Sequence, residues 1–161
     1  MIIIQEELWK NPGFPGLIVI TGNGTIGRNG KLIMGRGAAK QAKDRIKGID
    51  RECGAIARAY VPLATSTGYS QYGFMIVREP TDEKIGFGVF QVKWHYAENA
   101  CLDMIERSAK LLNKYALENP DTNIRMNFPG IGAGKLKFEE VEPIVVKELT
   151  AHNLTICTKG K

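Results

Sequence analysis

LIVITGNGTIG, residues 17–27, joins an apolar, β-branched run to three glycines, Gly22, Gly24 and Gly27. Their G-x-G-x-x-G spacing is that of a dinucleotide-binding turn. Such a turn needs a strand before it, a helix opening directly behind it and an acidic residue about 20 positions on. The strand is there, but the remaining context is not. Gly27 is followed by RNGKLIMGRG, in which Asn29-Gly30 marks a turn, and a helical pattern starts only at Ala38. Asp44 stands 20 residues after Gly24 but among Lys40, Lys43 and Arg45, inside a basic helical stretch rather than at the end of a second strand. The stretch therefore reads as a strand that runs into a loop, and any phosphate grip must lie elsewhere.

Working outward, short apolar runs bounded by Gly, Pro, Asn or Asp predict strands at 1–4, 17–21, 74–77, 87–92, 124–128 and 154–158. Several are apolar almost throughout, as strands buried on both faces are. Helical patterns fall between them, at 38–47, 49–60, 98–118 and 139–149. The third is the clearest, with Ala100, Cys101, Met104, Ile105, Ala109, Leu111, Leu112 and Tyr115 recurring on one face. In the fourth, Pro143 is compatible with a helix only if it falls in the first turn. Strands alternating with helices predict an α/β fold with a parallel or mixed sheet. Ligands of such sheets sit beyond the carboxyl ends of the strands, so the loops after Thr21, Val92 and Phe128 hold the expected site.

The composition fits that reading. At 161 residues, 43% of them hydrophobic and 24% charged, the chain predicts one globular domain, 1–161. No apolar run nears the roughly 20 residues of a membrane span. The initial MIII gives way at once to Gln5, Glu6 and Glu7, unlike a leader peptide, so a cytoplasmic location is expected. Cys53, Cys101 and Cys157 are far apart, and His95 and His152 have no neighbouring ligand set. Neither a disulfide framework nor a metal site is expected, and no cofactor is called for. A net charge of +5 and a pI near 9.1 suit an anionic partner without singling one out.

Two later glycine loops are better placed to hold an anion. In MGRGAAKQAKDRI, Gly35 and Gly37 lead directly into the basic helix, whose N-terminal N–H groups can face a phosphate. In NFPGIGAGKLKFEEV, a strand passes through a glycine loop into a helix. Gly134-Lys135 suggests a nucleotide-hydrolysing P-loop, but that register puts Pro129 where its first glycine belongs and Leu136 where a hydroxyl must hold magnesium. The loop can still wrap a phosphate with successive backbone N–H groups. Two such loops on neighbouring strands would form a cleft for a diphosphate held by backbone.

Three segments together carry a family resemblance: LIVITGNGTIGRNGKLIMGRGAA (17–39), VFQVKWHYAENACLDMIERSAKLL (89–112) and NFPGIGAGKLKFEEVEPIV (127–145). In this order, over nearly the whole chain, they resemble macrodomains, the ADP-ribose-binding α/β modules. The branch they are most similar to includes the terminal ADP-ribose protein glycohydrolase and the antitoxin macrodomains that remove ADP-ribose from DNA. The resemblance implies a three-layer fold, a mixed central sheet flanked by helices. It also implies roles. Glu7, where family members more often have Asp, would receive the adenine amino group. Asn23 would enter the distal-ribose pocket. Gly35, Arg36 and Gly37, with Gly130, Ile131, Gly132, Ala133 and Gly134, would enclose the diphosphate and distal ribose through backbone groups.

Lys93 stands where that branch has its catalytic lysine, an amine that attacks the anomeric carbon. Such a lysine must be partly neutral. The protein glycohydrolase has an aspartate in its second glycine loop where this chain has Gly134. The likeness is therefore nearer to the antitoxin members, and a Lys–Asp pair is not expected. His95 and Tyr96 could stack on a substrate base, although packing against the following helix is favoured. Three activities follow from the resemblance: hydrolysis of an ADP-ribosyl linkage by Lys93, non-catalytic reading of ADP-ribose, and dephosphorylation of ADP-ribose 1''-phosphate. Nucleic acid is slightly favoured over protein as the modified partner, and a toxin partner is left open.

Overall fold

The computed structural model describes residues 1–62 and 68–158. Among them the six apolar runs form strands β1 (Ile2–Gln5), β2 (Gly16–Gly22), β3 (Phe74–Arg78), β4 (Gly86–Gln91), β5 (Asn123–Asn127) and β6 (Leu154–Thr158). The helices are α1 (Gly37–Arg45), α2 (Ile49–Ala57), α3 (Leu102–Glu118) and α4 (Phe138–Glu148), with a 3-10 turn, Arg58–Tyr60, after α2.

All six strands join one sheet in the order β1-β6-β5-β2-β4-β3. Every neighbouring pair is parallel except the edge strand β3, which runs antiparallel to β4, so the sheet is mixed. Successive side chains of a strand point to opposite faces, and the core divides accordingly. Leu17 and Val19 of β2, with Phe90 of β4 and Ile124 and Met126 of β5, pack under α3 and α4. Ile18 and Ile20, with Phe87 and Val89, pack under α1 and α2. Burial on both faces explains the uninterrupted apolar runs of the central strands. The product is a three-layer α/β/α fold, as the resemblance implies.

The helices differ from the sequence expectation at several points: α1 and α2 end at Arg45 and Ala57 rather than at 47 and 60, and two further differences have a clear cause. α3 begins at Leu102, not at 98, because the amides ahead of it are already engaged. Ala100 N–H donates to the Gly134 carbonyl (2.8 Å) and Cys101 N–H to the Val92 carbonyl (2.8 Å), which holds residues 98–101 as a strap across two loops. In α4, Pro143 is the sixth residue and lies beyond the first turn. It occupies the exposed face, so the carbonyl it leaves without a helical donor is turned toward solvent. The start of α4 is secured by the Glu140 carboxylate, which accepts the Lys137 N–H at 2.9 Å. Among the described residues no helix is long and apolar enough to cross a membrane, and no group of three or more His, Cys, Asp or Glu side chains could hold a metal ion.

Candidate functional site

β2 lies between β4 and β5; the connection after β2 leads to β3 on one side of the sheet, and that after β5 leads to β6 on the other. This is the point in a parallel sheet where adjacent loops part and leave a crevice. The parting is stabilised by side chains. After the last β2–β5 ladder partners, Val19 and Met126, the Asn127 amide takes over, accepting the Thr21 N–H (3.1 Å) and donating to the Thr21 hydroxyl (2.9 Å). Above this clamp opens a cleft of about 500 Å³, walled by the loops after β2, β4 and β5 and by the start of α1.

The two later glycine loops face each other across it. Gly35, Arg36 and Gly37 form one lip, and Gly130, Gly132, Ala133 and Gly134 the other. Among the described residues, the N–H groups of Gly35, Arg36 and Gly37, and of residues 131–134, donate to no protein group. α1 also starts without a side-chain cap or an acidic residue in its first turn. Gly35, Arg36 and Gly37 are exposed at the cleft's edge, and a row of donors left without protein partners at a helix N-terminus is an anion site in physical terms. The glycines sharpen that reading. A Cβ on Gly35, Gly37 or Gly132 would meet nothing within 4 Å, so no protein neighbour requires glycine there for space. What their missing side chains leave open is the cleft.

Gly134 is different. A Cβ there would lie 2.6 Å from the Gly130 carbonyl oxygen and 2.7 Å from the Ala100 methyl. The strap of residues 98–101 lies directly against it, so an aspartate cannot occupy this position without moving two backbone segments. Ile131 does not line the cleft; its side chain packs on the core beneath the loop. Lys135 is a lining residue that sequence reasoning weighed only as part of a P-loop. It adopts φ 61°, a left-handed conformation that costs a lysine about 1–2 kcal/mol, and its N–H closes the turn onto the Gly132 carbonyl (3.1 Å).

Lys93 follows β4 and enters the cleft from its floor, 8% exposed. Its ammonium donates to the Glu98 carbonyl at 3.0 Å. Burial holds its pKa below the usual lysine value; Arg36 and Lys135 on the two lips push the same way, and Glu98 partly opposes them. This is the direction a nucleophilic amine requires. By contrast, burial raises the Cys53 thiol to about 12, which leaves it inert.

Asn23 lines the cleft as well, 6% exposed. Its amide also braces the loop, donating to the Ile33 carbonyl (2.9 Å) and accepting the Thr25 N–H (2.8 Å). Glu7 is not among the lining residues. Its side chain is 72% exposed and pairs with Arg45 at 3.4 Å, while Arg125 fixes its backbone by donating to the Glu7 carbonyl (2.6 Å). The His95 ring packs on Tyr96 and meets Tyr69 edge-on, and Tyr96, half exposed, lines the cleft. Thr21 and Asn127 were missed as lining residues; the one signal was the polar residue that closes each apolar run.

A six-stranded mixed sheet between two helical layers, with glycine loops at its switch point, defines the macrodomain fold. Comparison with solved structures agrees. The macrodomain of Thermus aquaticus DarG superposes with a TM-score of 0.70 at 20% identity, covering 99% of this chain and 97% of that one. The macrodomain of Mycobacterium tuberculosis DarG gives 0.70 at 18% identity, covering 99% and 98%. Thermosipho africanus DarTG in complex with ADP-ribose gives 0.68 at 14% identity, covering 97% of this chain and 40% of that one. No family model matches the sequence. No curated protein matches it either.

Proposed function

We propose that this protein binds ADP-ribose in the cleft and hydrolyses an ADP-ribosyl linkage, with Lys93 as nucleophile and nucleic acid as the favoured carrier. The observation that carries the reading is the meeting, in one cleft, of a buried lysine with two lips of unpaired backbone N–H groups. The lips suit a diphosphate, and the volume suits a ligand of nucleotide size. The structural likeness to an ADP-ribose complex supports the same ligand.

In this mechanism the neutral Lys93 amine forms a bond to the anomeric carbon of the distal ribose. The bond to the carrier breaks, and its electron pair leaves with the carrier. Ring opening gives an imine, which water cleaves to restore the amine and release ADP-ribose. Burial keeps the amine available, and its hydrogen bond to the Glu98 carbonyl keeps it in place. A partner aspartate in the second loop plays no part, since the space beside Gly134 is filled.

The test uses ADP-ribosylated single-stranded DNA and ADP-ribosylated protein, with the parent and Lys93→Ala. The parent should release ADP-ribose, and the variant should lose at least about 10³-fold of that rate, as enzymes deprived of their nucleophile do. Borohydride added during turnover should trap an adduct on the parent only. Tight binding of free ADP-ribose without release from either carrier would make the protein a reader. Failure to bind ADP-ribose would end the reading.

A further inference from the structure

We propose that Tyr96, supported by His95, is a stacking platform for a nucleobase carried on the bound ADP-ribose, and that it biases the site toward nucleic acid over protein. This rests on the reading that the cleft binds ADP-ribose, and it assigns a task to a cluster that reading leaves unused. Tyr96 lines the same cleft as Lys93 and is 50% exposed, a large ring left in water at the mouth of a polar site. The His95 ring lies against it, with centroids 4.3 Å apart and planes tilted by 33°, and Tyr69 meets His95 edge-on at 5.5 Å.

The platform is held by hydrogen bonds at every step. Tyr96 N–H donates to the Thr25 hydroxyl (3.1 Å), and Thr25 is itself held by Asn23. Ala97 N–H donates to His95 Nδ1 (3.1 Å), and His95 N–H to the Glu98 carboxylate (2.8 Å). The Lys93 ammonium closes the loop onto the Glu98 carbonyl. Amine and ring thus belong to one turn whose backbone is braced, with the ring resting on His95, and a backbone fixed in advance lowers the cost of binding.

The chemistry of the leaving side decides what such a surface can recognise. Because Tyr96 and Lys93 line the same cleft, a group departing from the carbon that Lys93 attacks is within reach of this ring. A nucleobase offers a flat face that stacks on an aromatic side chain whatever its identity. An amino-acid carrier, joined through a carboxylate or hydroxyl, offers no such plane. Arg36 and Lys135 on the lips supply the positive charge that flanking phosphates of a nucleic acid would meet.

Binding is measured in the Lys93→Ala background, so that no linkage is cleaved, by anisotropy of labelled ligands. Tyr96→Ala should weaken an ADP-ribosylated single-stranded oligonucleotide about tenfold, the worth of one base–aromatic stack, with Tyr96→Phe within about twofold of the parent. The loss on an ADP-ribosylated peptide should be several-fold smaller, and His95→Ala should fall between. Equal losses on oligonucleotide and peptide, or no loss on the oligonucleotide, would overturn the platform. Free ADP-ribose separates the two readings. If it binds the parent and Tyr96→Ala alike while oligonucleotide and peptide lose affinity equally, the platform falls and the proposed function stands; if it does not bind the parent at all, both fall.

Discussion

The loop that follows β2 and the two lips of the cleft are all glycine-rich, yet Gly22 and Gly24 of the loop and Gly35 and Gly132 of the lips are glycine for opposite reasons, while Gly130 and Gly134 are crowded like the first pair. In the first loop the space is already taken. A Cβ on Gly24 would meet the Ser70 carbonyl and, at 2.7 Å, the Gln91 amide nitrogen; one on Gly22 would meet Val89 at 2.8 Å. These glycines let the loop lie flat on the end of β4, where Gly24 N–H bonds the Trp94 carbonyl and its own carbonyl accepts the Ser70 N–H. At Gly35, Gly37 and Gly132 the space is empty. Spacing in a sequence cannot separate a glycine crowded by protein from one that makes room for a ligand. The neighbours of the missing Cβ can.

The contrast is most exposed to failure at Gly24. Its obstacles are a backbone carbonyl and a buried amide, neither of which can swing aside. Gly24→Ala should destabilise the fold by about 3 kcal/mol, at the upper end for overpacking, and lower Tm by roughly 6–12 °C in a chain of this size. Thermal melting of parent and variant measures it. A variant as stable as the parent would mean the first loop has slack, and the distinction between the two regions would collapse.

Gly35→Ala tests the other half. Its φ is not in the left-handed region and nothing adjoins its Cβ, so stability should stay within about 0.5 kcal/mol of the parent. Affinity for ADP-ribose, read by calorimetry, should fall about tenfold, or ~1.4 kcal/mol, as a methyl stands where a phosphate must approach backbone. Gly132→Ala should behave alike. Lost stability with unchanged affinity would reverse the assignment.

The same contrast explains what was legible in the sequence. All six strands were, because continuous apolar runs ended by turn residues state both the period and the limits of a buried strand. The resemblance placed Lys93, Asn23 and the glycine lips, and these do converge on one cleft. What was lost depends on contacts between distant segments. The start of α3 is displaced by hydrogen bonds to Val92 and Gly134, which no local pattern encodes. Glu7 lies two residues beyond the end of β1, and its carboxylate pairs with Arg45 of α1. Tyr96 is aimed by Thr25, 71 residues away.

The smallest expected effect is electrostatic and lies between the lips themselves. Arg36 is exposed, and its charge disfavours the protonated form of Lys93, holding that pKa down. Arg36→Gln removes the repulsion, so the Lys93 pKa rises and less neutral amine is present at any given pH. The acid limb of kcat/KM, which reports the free enzyme, should move to higher pH, whereas Arg36→Lys should leave it in place. Because Arg36 sits in solvent, the separation between parent and Gln variant should shrink at high ionic strength, where the Debye length falls to about 3 Å at 1 M. Burial comes first among the causes of the shift and does not respond to salt, so the parent's limb should stay below that of an ordinary lysine throughout. A limb unmoved by Arg36→Gln would assign the shift to burial and Lys135 alone, leaving the first lip with backbone donors as its whole contribution.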